Sequence, residues 1–115
     1  FGEEYYSLVQ IPMDHEIFHI VFDVNEIPQV PDVGNFYASG GENVPPPRDY
    51  SMYGTIPRIW GIFDENGRLM VIAGHNSDLG DGWEREGQNR EYFRTYSAPQ
   101  AYPMGINIVV YAMTH

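Results

Sequence analysis

The dipeptide Asn66-Gly67, set between two apolar runs, constrains this chain more than any other feature of it. Asn and Gly reach the positive φ angles that hairpin turns demand, which most residues adopt only under strain. Arg58-Ile59-Trp60-Gly61-Ile62-Phe63, then Asp64-Glu65-Asn66-Gly67, then Arg68-Leu69-Met70-Val71-Ile72-Ala73-Gly74 therefore reads as a β-hairpin. Both flanks are near-continuously apolar, as in strands covered on two faces.

Elsewhere the periodicities are shorter. Leu8 to Val24 alternates in two pieces, and Ile17-Phe18-His19-Ile20-Val21-Phe22 is rich in β-branched and aromatic residues, while Pro12 and Asp14 resemble a helix start. We expect a loop and then a short helical turn at His15 to His19. From residue 26 to residue 57 six prolines and four glycines break any regular period, so this stretch reads as an irregular arm. Its aromatics, Phe36, Tyr37, Tyr50 and Tyr53 among them, suit a packed lid or a partner-binding loop better than disorder. At the end, Met104, Ile108 and Tyr111 fall at spacings of four and three, and Pro103 fits a first turn, so Pro99 to His115 is expected to be a helix. Ile108-Val109-Val110 has strand propensity and supplies the competing reading.

At 115 residues the chain holds one domain at most. Its formal charge of -10, from 16 acidic and 6 basic residues, repels phosphate backbones and anionic lipid, so nucleic acid is not an expected partner. No apolar run approaches the roughly 20 residues that span a bilayer, so no membrane insertion is expected. The absence of cysteine removes disulfides, thiolate nucleophiles and thiolate metal sites. The chain starts at Phe1 without a signal-like segment, as a mature product or a piece of something longer would.

Candidate chemistry concentrates in His75-Asn76-Ser77-Asp78-Leu79-Gly80-Asp81-Gly82-Trp83-Glu84. His75, Asp78, Asp81 and Glu84 recur every third residue; a helix would stack them, but Gly80 and Gly82 favour a loop. The oxygens suit a hard divalent cation, and the imidazole extends the choice to Zn²⁺ or Mn²⁺. The plainer alternative is a tight turn in which Asp78 and Asp81 hold backbone N–H groups and Trp83 packs beneath. His15-Glu16-Ile17-Phe18-His19 matches the letters of a zinc-protease helix, and His15 and His19 could join the same metal; the β-rich surroundings favour a capping Asp14 and a packed His19 instead. Trp83, Trp60 and Tyr53 are candidates for ligand contact, by stacking a sugar for example. No Gly-x-Ser-x-Gly elbow and no phosphate-cradling Gly-Lys-Ser/Thr occurs.

Three segments together carry a resemblance: Pro12 to His19, the hairpin from Trp60 into Asp78-Leu79-Gly80-Asp81-Gly82-Trp83-Glu84, and Met104-Gly105-Ile106-Asn107 to His115. They resemble the bacterial domain of unknown function 4159. The resemblance implies an α/β fold, a partial Rossmann-like or amidotransferase-like domain with a β-hairpin, a long Pro/Gly-rich arm and a C-terminal helix. It implies either one domain over residues 1–115 or the C-terminal half of a larger α/β domain, with 26–57 as an insertion. It also implies a periplasmic or extracellular setting. The Cys nucleophile and His-x-Glu pair of amidotransferase-type catalysis have no counterpart here. The expected function is a non-catalytic binding or assembly module, whose partner is another chain, a missing N-terminal segment or a second copy. Alternatives are a metal-dependent, hydrolytic site on the His75–Glu84 loop and a carbohydrate-binding module.

Overall fold

A computed structural model describes residues 6–38, 56–85 and 87–115. Strands β1 (Val9–Gln10), β2 (Arg58–Phe63) and β3 (Leu69–His75) form one antiparallel sheet in the order β1-β2-β3. With the helices described below, the chain is a mixed α/β protein. The hairpin forms where the sequence puts it, although of the turn residues only Gly67 takes a positive φ, at 82°. The Asp64 side chain does the rest, accepting from the N–H groups of Asn66 at 2.9 Å and Arg68 at 2.8 Å. Such side-chain bonding to the local backbone is the usual role of Asp in turns.

The pairing steps from Ile62 opposite Val71 to Phe63 opposite Leu69, so Met70 is the extra residue of a bulge. Directly opposed residues share a face. Ile59 with Gly74 and Gly61 with Ile72 face the core, whereas Trp60 with Ala73 and Ile62 with Val71 face away from it. The apolar runs led us to expect cover on both faces. Among the described residues only the inner face is covered: Ile59 is buried, and Val71 is 45% exposed.

The N-terminal turn forms as a single 3-10 turn, Glu16–Phe18, capped by the His15 ring rather than by Asp14. Helix α1 (Val33–Ala38) lies inside the stretch expected to be irregular and buries Phe36; residues 39–55 of that arm lie outside the described residues. Helix α2 (Leu79–Glu84) replaces the expected loop, since Asp78 caps its first turn and outweighs the low propensity of Gly80 and Gly82. The C-terminal helix begins earlier than periodicity indicated. Helix α3 (Arg90–Tyr92), capped by Asn89, runs into a π-helical stretch, Phe93–Ala101, and then into α4 (Tyr102–Thr114). The wider winding accommodates Pro99, which has no N–H to give and whose ring crowds the preceding turn.

Ile11, Ile17, Phe18, Ile59, Met104 and Tyr111 form the main core between the sheet and α4. A second cluster, Val30, Phe36, Tyr92, Tyr96 and Ala101, sits under α1, and Leu79 packs against both. Between them runs an extended segment with few backbone partners of its own, stitched down by side chains. Asn107 on α4, fully buried, accepts from the N–H groups of Val21 and Phe22 and donates to the Phe22 carbonyl. Gln100 accepts from Gln29 N–H, Ser77 from Val30 N–H, and Tyr92 donates to the Pro31 carbonyl.

Candidate functional site

The acidic motif sits where α1 and α2 begin, and each of these helix ends presents N–H groups with no partner inside the helix. Asp78 Oδ1 accepts from Asp81 N–H at 2.9 Å, while its own N–H donates to the Val30 carbonyl at 2.7 Å. Asp81 Oδ2 reaches across to accept from Val33 N–H, the first residue of α1, at 2.9 Å. Asp32 Oδ1 accepts from Asn35 N–H at 2.8 Å. Asp78 and Asp32 thus cap their own helices, the Asp81 carboxylate ties α2 to α1, and the Asp78 backbone N–H ties α2 to Val30. Asp81 Oδ1 lies 3.7 Å from Arg85 Nε, a loose and half-exposed ion pair that adds little.

Asp32, Asn76, Ser77 and Asp78 line a hollow of about 290 Å³ beside this junction. Asn76 turns the chain into it from β3 with φ at 62°, a left-handed conformation that Asn tolerates better than most residues. Burial pushes the Asp78 carboxyl above its ordinary value, and the charges of Asp81, Asp32 and Glu84 add to that; the hydrogen bond from Asp81 N–H pulls the other way. The recess is therefore an anionic, oxygen-lined surface in which one carboxyl is inclined to keep its proton.

The six residues proposed for a metal do not gather. His75 stands opposite Arg58 on the outward side of the sheet, and Glu84 is exposed at the far end of α2. His15 Nδ1 accepts from Ile17 N–H while its ring leans on Phe63 and Tyr111, and burial lowers its pKa. His19 bonds to Asp23 and to the Met13 carbonyl. Among the described residues no three His, Asp or Glu side chains come close enough together to hold a metal ion.

Of the aromatic candidates, Tyr53 lies outside the described residues, and Trp60 is half-buried on the outward sheet face. Trp83 is 40% exposed and is held by its Nε1–H, which donates to the Ala101 carbonyl at 2.6 Å. Its indole lies directly on Gly105: a Cβ there would sit 2.8 Å from Nε1. One residue earlier, Gly82 abuts Ala101 so closely that any Cβ would collide with it and press on Val30. The glycines of Gly80-Asp81-Gly82 had suggested a loop. Gly82 and Gly105 instead let α2 approach the start of α4. Sequence reasoning also passed over Asn107, whose only visible signal was a polar residue on the apolar side of a helix.

A larger hollow, of about 840 Å³, lies away from the motif between the 22–29 segment and the π-helical stretch, with Phe22, Glu26, Tyr96 and Gln100 on its walls. Among the described residues no helix is long and apolar enough to cross a membrane. The family model described as a domain of unknown function, DUF4159, matches residues 5–113. No curated protein and no solved structure matches the chain.

Proposed function

The chain belongs to the DUF4159 family, a domain of unknown function, and we propose on physical grounds that it is a non-catalytic assembly module whose sheet is completed by another α/β segment. One observation carries this reading: Trp60, Ile62, Val71 and Ala73 form an apolar outward sheet face that is only half-buried at Trp60 and Ile62 and exposed at Val71 and Ala73. An antiparallel sheet that meets water on one side normally alternates apolar with polar residues, and this hairpin does not. Among the described residues β3 adds to it as an end strand, Leu69 to His75, with no Lys, Glu or Pro in it to guard its edge. In this reading the cover comes from a preceding segment of an amidotransferase-like α/β domain or from a separate chain, and the strands described here are its C-terminal part.

The test is dye binding and hydrogen exchange on the chain alone. It should bind an environment-sensitive hydrophobic dye, and Val71→Lys should reduce that binding while changing stability by no more than about 0.5 kcal/mol, because the side chain is exposed. A chain that binds no dye, or in which Val71→Lys unfolds the protein, would overturn the reading.

A further inference from the structure

Helix α4 spans thirteen residues without a single charge, in a chain whose formal charge is -10. Its inward side carries Met104, Asn107 and Tyr111, all buried. Its outward side is equally apolar: Ile106 is 42% exposed, Val109 56% and Met113 79%. Tyr102, Ile106, Val109 and Met113 follow one another at spacings of four, three and four, the pattern of a seam that packs against another helix. A groove of about 440 Å³ runs along this seam, walled by Trp83, Tyr102, Ile106, Val109 and Val110 with Gly105 as its floor. A helix that is apolar all round is ordinarily buried.

We propose that this seam is a self-association surface, occupied by α4 of a second copy lying antiparallel across a two-fold axis. The argument is self-complementarity. An axis between Ile106 and Val109 sets Ile106 of one copy opposite Val109 of the other and Tyr102 opposite Met113. The thioether of Met113 faces the aromatic ring of Tyr102, a favourable pairing. Each match occurs twice, as a two-fold interface requires. Charge selects the same occupant: a helix flanked by Lys or Glu would bring charges to a seam that offers none in return, whereas a second α4 brings none. The acidic groups of the two copies then repel only at long range, so salt should strengthen the association. This seam lies on the helix and not on the outward sheet face, so the two proposals stand or fall separately.

The experiment is sedimentation velocity on the full chain over a concentration series, at low and high salt. The expected result is a monomer–dimer equilibrium that tightens with salt. Val109→Glu should weaken it by roughly 100-fold, because a carboxylate would be buried without a partner. Val109 is exposed in the single chain, so the variant should unfold at the same denaturant concentration as the parent. Val71→Lys, on the sheet face, should leave the dimer intact. Orientation is read from cysteines placed in this cysteine-free chain: the double variant Tyr102→Cys/Met113→Cys should form a covalent dimer on mild oxidation, while Tyr102→Cys alone should not. A monomer at every concentration overturns the proposal. So does a dimer that survives Val109→Glu or is lost with Val71→Lys, the latter pointing to the sheet face.

Discussion

Gly82 shows how much a single missing methyl group decides. It is buried against Ala101, itself fully buried, and a side chain there would force α2 off the start of α4. Gly82→Ala should therefore destabilise the protein by about 2 kcal/mol. Gly34→Ala should do the opposite by about 0.5–1 kcal/mol, since Gly34 lies in α1 with nothing within 4 Å of its would-be Cβ and alanine is the better helix former. Urea unfolding of the two variants side by side checks both signs. Asp78 makes a prediction about pH. Its folded pKa is raised, chiefly by burial, so the folded chain holds this proton more tightly than the unfolded chain does. Stability from this group is thus present at pH below the ordinary carboxylate value and is lost as pH rises through the raised one. Asp78→Asn keeps a capping oxygen and removes the titration. The stability difference, variant minus parent, should move in the variant's favour as pH rises across that window. A difference that is flat or moves the other way in denaturant melts at several pH values would contradict the assignment.

At the scale of elements, the extended segment between the 3-10 turn and α1 is held at its start, Val21 and Phe22, by one side chain of α4. Asn107 satisfies the Val21 and Phe22 N–H groups and the Phe22 carbonyl from a fully buried position. Asn107→Leu keeps the branching at Cγ but orphans these groups, and should cost about 3 kcal/mol. The loss should be local first: the Val21 and Phe22 amides should lose hydrogen-exchange protection before the hairpin does. If they exchange no faster in the variant, another group holds the segment. The same clamp explains how a chain with so little sheet orders a loop of this length, for irregular backbone must find its partners among side chains.

On the scale of the molecule, sixteen carboxylates against six arginines leave a net charge that works against compaction. Thermal stability should therefore increase with added sodium chloride in the range where the Debye length falls from about 30 to about 8 Å. Melting curves that fall with salt would show that specific ion pairs outweigh the repulsion. The ion pairs described give no reason to expect that, because Asp81–Arg85 and His19–Asp23 are exposed or half-exposed. The apolar sheet patch and the α4 seam are the complementary fact: a strongly acidic chain keeps carboxylates off both, with Arg58 and His75 at the end of the sheet patch.

The hairpin and the C-terminal helix were legible in the sequence because local forces write them: a turn needs Gly67, and one stripe of α4 needs Met104, Ile108 and Tyr111. Long-range contacts decided the rest. The run around Asp78 carries two helix-breaking glycines, yet it is helical because Asp78 caps it and because Gly82 can press on Ala101, nineteen positions away in a chain that no local window spans. Likewise the spacing of His75, Asp78, Asp81 and Glu84 looked like a ligand set, and only the fold revealed that Asp81 spends its oxygen on Val33 and that His75 points elsewhere. Residue type states what a side chain can bond to; the tertiary structure alone selects which N–H groups are left for it to satisfy.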